Sequence, residues 1–137
     1  MVTLGSAPKV LVLEDEPIIA LDIEGILTDA GLDVTATLAS CAGALEWLKA
    51  NRPDVAILDI DLQDGSCELV AQRLLDLGVP LVIFSGSDPT ESTIDPVFLK
   101  GAWRGKPAPS EKIVEAVRAQ LLQSAWITRA DRRQRGY

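Results

Sequence analysis

The stretch Ala56-Ile57-Leu58-Asp59-Ile60-Asp61-Leu62-Gln63-Asp64-Gly65 passes from an apolar run into three aspartates and a glycine. With Val55 ahead of it, the run has the length and make-up of a strand covered on both faces, as in a parallel sheet. A carboxylate set directly behind such a strand is costly to bury and poorly placed for a surface. The question is which of the three aspartates does chemistry.

Outward from this stretch, strand and helix patterns alternate. Lys9–Leu13 is a second continuous apolar run, and Pro17, after Glu14-Asp15-Glu16, suits the first turn of a helix. Ile19, Ile23, Ile26, Leu27 and Ala30 recur at helical spacing until Gly31 stops them. Val34–Leu38 reads as a strand, and Ser40 as the N-cap of a helix carrying Ala44, Leu45, Trp47 and Leu48. Beyond Gly65, Leu69, Val70, Leu74, Leu75 and Leu77 predict a helix closed by Gly78, and Pro80 leads into the strand Leu81–Phe84. Ser85–Pro96 is rich in Ser, Thr, Asp and Pro, so any helix there is short or irregular. A fifth strand is expected near Leu99–Arg104, then a helix capped by Ser110 and bearing Ile113, Val114, Val117 and Leu121. Five βα units predict an α/β fold: a doubly wound, five-stranded parallel sheet with helices on both faces.

Composition sets the outer limits. A chain of 137 residues, 47% apolar and 24% charged, suits one domain that buries roughly two-thirds of its unfolded surface. Residues 1–123 are expected to form it. The tail 124–137 sets Arg129, Arg132, Arg133 and Arg135 against Asp131, a local charge of about +3. We read that tail as a solvated helix end rather than a nucleic-acid arm. The net charge of -7 argues against nucleic acid or an anionic membrane as partner. No apolar run approaches the ~20 residues that span a bilayer, and the N-terminus lacks a signal-peptide pattern. Cys41 and Cys67 have no CxxC spacing, which favours a reduced, cytoplasmic protein in which both are packing residues. The absence of histidine removes imidazole catalysis.

In an open parallel sheet the site lies beyond the carboxyl ends of the strands. Those ends carry Glu14 and Asp15, then Asp59, Ser85 and Lys106. Converging carboxylates repel one another unless a cation sits between them, and all-oxygen ligands suit Mg²⁺. A lysine and a hydroxyl opposite that ion can bind the oxygens of a phosphoryl group, and a carboxylate can accept it as an acyl phosphate. The set reads as phosphoryl transfer to an aspartate.

Val10–Pro17, Ala56–Asp59, Val82–Gly86 and Gly105-Lys106-Pro107 together resemble the receiver domain of two-component response regulators, over residues 9 to about 123. The resemblance implies the flavodoxin-like receiver fold, with Asp59 as phospho-acceptor and Glu14, Asp15, Asp59 and the Asp61 carbonyl around Mg²⁺. It makes Ser85 the switch hydroxyl, Lys106 the site lysine and Trp103 the switch aromatic. It also implies a sensor histidine kinase or histidine phosphotransfer protein as phosphodonor. The output is then supplied by another protein or by a further part of a larger chain, and a second copy of the chain is a candidate partner. Enzyme activity would be limited to intrinsic autophosphorylation and autodephosphorylation. Departures are the short, proline-free loop Asp59–Gly65, Ser85-Gly86 for the usual threonine-alanine, Ala108 for an aromatic, and Arg104 within the fifth strand. They resemble a receiver subgroup found alone or attached to sensor kinases.

Two other functions compete. Asp59-Ile60-Asp61 also resembles the opening motif of haloacid-dehalogenase-like phosphatases, but those place metal-binding acids after the lysine, where this chain has no acidic pair. A receiver-like binding module that signals without phosphate would be expected to lack a member of the five-part site.

Overall fold

The computed structural model describes residues 7–91 and 93–134, with side chains described as far as Ser124. Strand β1 (Lys9–Leu13) leads to helix α1 (Pro17–Asp29), β2 (Asp33–Leu38) and α2 (Cys41–Trp47). Then follow β3 (Val55–Leu58), a small hairpin of β4 (Asp61–Leu62) and β5 (Gly65–Ser66), and α3 (Glu68–Asp76). Strand β6 (Leu81–Ser85), a 3-10 helix (Pro96–Lys100), β7 (Ala102–Gly105) and α4 (Ser110–Gln134) complete the order.

The main sheet has the order β2-β1-β3-β6-β7, and every pairing in it is parallel. The expected doubly wound sheet is present. Strands β1, β3 and β6 are buried along almost their whole length because alternate residues enter two separate cores. Val10, Val12, Val55, Ile57, Val82 and Phe84 pack with Ile23, Leu27, Ile113 and Val117, so α1 and α4 cover one face. Leu11, Leu13, Ala56, Leu58, Leu81 and Ile83 pack with Ala44, Leu48, Val70, Leu74 and Phe98, so α2, α3 and the 3-10 helix cover the other. Two buried faces are why these strands read as unbroken apolar runs.

Local chemistry sets the element ends. Gly31 and Gly78 take φ values of 84° and 75°, the left-handed conformation that closes α1 and α3. Ser40 caps α2, its hydroxyl accepting from the Gly43 amide at 3.0 Å.

Three expectations need correction. The fifth strand is Ala102–Gly105, and Leu99 belongs to the 3-10 helix before it. Asp95 starts that helix by accepting from the Val97 amide at 2.9 Å, with Pro96 in its first turn. Ser110 is the first residue of α4 rather than its cap. The Pro109 carbonyl accepts from the Lys112 and Ile113 amides, while the Ser110 hydroxyl donates to Glu111. Cys41 and Cys67 are bonded to each other rather than separately packed. Their sequence separation of 26 hides that the starts of α2 and α3 lie side by side.

Helix α4 runs through the expected boundary at residue 123. The side chains of Trp126 and of the tail arginines lie outside the described residues. Among the described residues, no helix is long and apolar enough to cross a membrane.

Candidate phosphoryl-acceptor site

The chain leaves β1 toward β2 on one side and returns through β3 on the other. The gap between β1 and β3 is therefore a topological switch point, where open α/β sheets place their ligands. Glu14 and Asp15 follow β1, and Asp59 follows β3. Ser85 ends β6, and Lys106 comes directly after β7, with its amide donating to the Ser85 carbonyl at 2.9 Å. All five predicted side chains arrive at one edge because each lies at or just past a parallel strand.

Carboxylate oxygens of Glu14, Asp15 and Asp59 lie within 4.8 Å of one another. Glu14 is 3% exposed, and its carboxylate accepts from the Glu16 amide at 3.1 Å. The Lys106 ammonium reaches Glu14 Oε1 at 2.5 Å and Asp59 Oδ2 at 2.7 Å. Its Nζ also lies 5.6 Å from the centre of the Phe84 ring, within cation–π range. Burial pushes Lys106 down, but hydrogen bonds to Asp59 and Glu14, and the charges of both, outweigh it and hold the ammonium above its ordinary value. Three carboxylates still outnumber one ammonium.

Asp61 sits at the start of the hairpin, exposed, and its amide donates to Asp59 Oδ1 at 3.3 Å. Its carboxylate does not join the three that cluster. Ser85 is 2% exposed, and its Oγ accepts from the Ser87 amide at 3.2 Å. That bond occupies a lone pair and leaves the hydroxyl proton for another acceptor. Trp103 pairs in register with Ile83, is half-buried, and has an indole N–H buried without a hydrogen-bond partner.

Sequence reasoning missed Asp64. It lies in the turn between β4 and β5, and its two carboxylate oxygens accept from the Cys41 and Ala42 amides at 2.7 and 3.0 Å. With the Cys41–Cys67 bond, this ties the hairpin behind Asp59 to α2. The available signal was topological: α2 and α3 share one face of the sheet, so both helices begin near the edge that carries Asp59.

A parallel sheet with three carboxylates at its switch point, a hydroxyl on the next strand end and a lysine beyond it defines a receiver-type α/β module. The chain belongs to the response regulator receiver domain family, whose family model matches residues 10–118. It is 31% identical over 130 residues to the probable transcriptional regulatory protein TcrX of Mycobacterium tuberculosis, covering 93% of this chain and 55% of that protein. It thus spans about half the length of that relative. A response regulator receiver protein from Sinorhizobium medicae is 34% identical with a TM-score of 0.74, covering 86% of this chain and 97% of that one. SdrG from Sphingomonas melonis is 29% identical with a TM-score of 0.72, covering 87% and 99%. These relationships favour a signalling receiver over a haloacid-dehalogenase-like phosphatase.

Proposed function

We propose that the chain accepts a phosphoryl group on Asp59 from a phosphohistidine of a sensor kinase or phosphotransfer protein, and so switches a protein-binding surface. One observation carries the reading: Asp59 lies at the switch point, clustered with Glu14 and Asp15 and held by Lys106. An Asp59 oxygen attacks phosphorus, the P–N bond to the donor histidine breaks, and an acyl phosphate forms. Lys106 holds Asp59 in place and offers its charge to the phosphoryl oxygens. The Ser85 hydroxyl donates to one of them.

The donor set, hard oxygens in excess of positive charge, fits Mg²⁺. Glu14, Asp15, Asp59 and the Asp61 carbonyl would hold it. When bound, it supplies positive charge that offsets the carboxylates and the incoming phosphoryl oxygens. Loss of the phosphoryl group to water, promoted by the same residues, would end the signal, so the enzymatic chemistry is intrinsic to the switch.

Ile18 and Leu21 of α1 are 82% and 68% exposed close behind the acidic edge, as suits a surface that a partner helix covers. Such a partner and the reaction itself suit a cytoplasmic setting. The reading assigns two surfaces: α1 to the phosphodonor, and β7 with α4 to the output protein or a second copy. The test is incubation with acetyl phosphate, with and without Mg²⁺, followed by intact mass measurement. The expected result is one phosphoryl group added only with Mg²⁺, and none on Asp59→Asn. Equal modification of Asp59→Asn would sink the assignment.

A further inference from the structure

Cys41 and Cys67 belong to no part of the receiver site, yet they join two segments that matter to it. Cys41 is the first residue of α2 and is partly exposed, with Sγ 3.5 Å from the Gly65 carbonyl. Cys67 is fully buried at the start of α3, directly after the hairpin that follows Asp59. Their Cα atoms are 5.7 Å apart, inside the range a disulfide requires. Two extensive apolar cores hold the sheet and helices in addition to this bond. The hairpin keeps other ties, from Asp64 to the Cys41 and Ala42 amides and from the Cys67 amide to the Ile60 carbonyl. A bond backed by these cores and ties, with one sulfur within reach of solvent, has the features of a switch.

We infer that Cys41 and Cys67 form a reversible thiol–disulfide site that controls the hairpin Asp61–Ser66 and, through it, the loading of Asp59. The last step rests on the proposed phosphoryl acceptance. The oxidant is a small disulfide. The Cys41 sulfur attacks it and one thiol leaves. The Cys67 sulfur then attacks Cys41 Sγ, the second thiol leaves, and the protein S–S bond has formed. Two protein thiols are oxidised and one small disulfide is reduced to two thiols. A small thiol reverses the sequence, again entering at Cys41. Closing the bond anchors the Ser66 end of the hairpin to α2, and Ser66 pairs with Asp61, whose amide donates to Asp59 Oδ1.

The full chain is equilibrated in mixtures of reduced and oxidised glutathione, then quenched by alkylation and weighed. The expected result is one transition from a doubly alkylated to an unalkylated protein. Hydrogen exchange of amides 61–67 should be about tenfold faster in the reduced form. Loading by acetyl phosphate with Mg²⁺ should be about threefold slower in the reduced form, because Asp59 is less well positioned. Cys41→Ser, which keeps the backbone amide that Asp64 binds, should match the reduced protein in both measurements whatever the glutathione ratio. Double alkylation of the native protein in oxidised glutathione overturns the inference. So does equal hairpin exchange in the two forms, or equal loading in a protein that does load. If neither form loads but exchange differs as stated, the Asp59 reading fails and the redox control of the hairpin stands.

Discussion

Lys106 serves two carboxylates at once, and this is what makes it more than a surface lysine. Glu14 and Asp59 have side chains only 2% and 14% exposed, so neither can rely on water alone for its charge. Removing one partner of a buried ion pair costs about 3–5 kcal/mol, and the partly open mouth here reduces that to roughly 1–3 kcal/mol. Lys106→Met should therefore lower the thermal midpoint at neutral pH. It also leaves the carboxylates with a stronger need for a cation, so Mg²⁺ should raise the midpoint more in the variant than in the parent. Thermal unfolding with and without Mg²⁺ checks both; an equal Mg²⁺ response would mean that Lys106 and the ion do not share ligands. At this scale the sequence was informative. Glu14, Asp15, Asp59 and Ser85 each follow an apolar run, Lys106 follows the expected fifth strand, and topology alone brings strand ends together. Asp64 was not legible, because its partners Cys41 and Ala42 lie 23 and 22 residues earlier and nothing local marks them.

The hairpin and the 3-10 helix are the elements that propensity could not supply. Strands of two residues have no periodicity to read, and β4–β5 persists because α2 and α3 hold it. The disulfide closes a segment with a sequence separation of 26, worth about 3–4 kcal/mol in the chain-entropy account. Asp64 adds a pH-dependent tie. The Ala42 amide, then the Cys41 amide, hold its carboxyl below the ordinary value of 3.8. Its stabilising effect is fully present above that value and is lost as pH falls through the lower folded-state value. The gap in urea midpoint between the parent and Asp64→Ala should therefore narrow as pH is lowered from 7 to below 3. A gap independent of pH would assign the effect to something other than the carboxylate. Gly101 resets the chain between the 3-10 helix and β7, and its position explains why the fifth strand starts later than its apolar residues suggest. A Cβ there would lie 2.7 Å from the Leu81 carbonyl oxygen and 2.8 Å from Leu81 Cβ. Gly101→Ala should cost about 1–3 kcal/mol by overpacking, read as a lower denaturant midpoint. An unchanged midpoint would show that β6 and the 3-10 helix can separate freely.

For the molecule as a whole, alternation of residues between two cores fixes the sheet, and the sheet fixes the site. That much was legible because a strand buried on both faces leaves an unbroken apolar run. How a change at Asp59 travels was less legible, since Trp103 shows as a half-buried aromatic and no more. Its register opposite Ile83, one strand over from Ser85, is consistent with the proposed route, in which a Ser85 hydroxyl drawn toward a phosphoryl group would vacate space for Trp103. With Trp47 and Trp126 replaced by Phe, Trp103 emission should shift on phosphorylation. Emission that ignores it would break the link between the acceptor and the surface of β7 and α4. The claim beneath this is that Asp59, of the three aspartates in its stretch, is the one that becomes an acyl phosphate. Borohydride reduces an aspartyl phosphate to homoserine, so treating the phosphorylated protein and mapping its peptides identifies the residue. The account predicts homoserine at position 59 and intact aspartate at positions 61 and 64. Homoserine at 61 or 64, with position 59 unchanged, would contradict it.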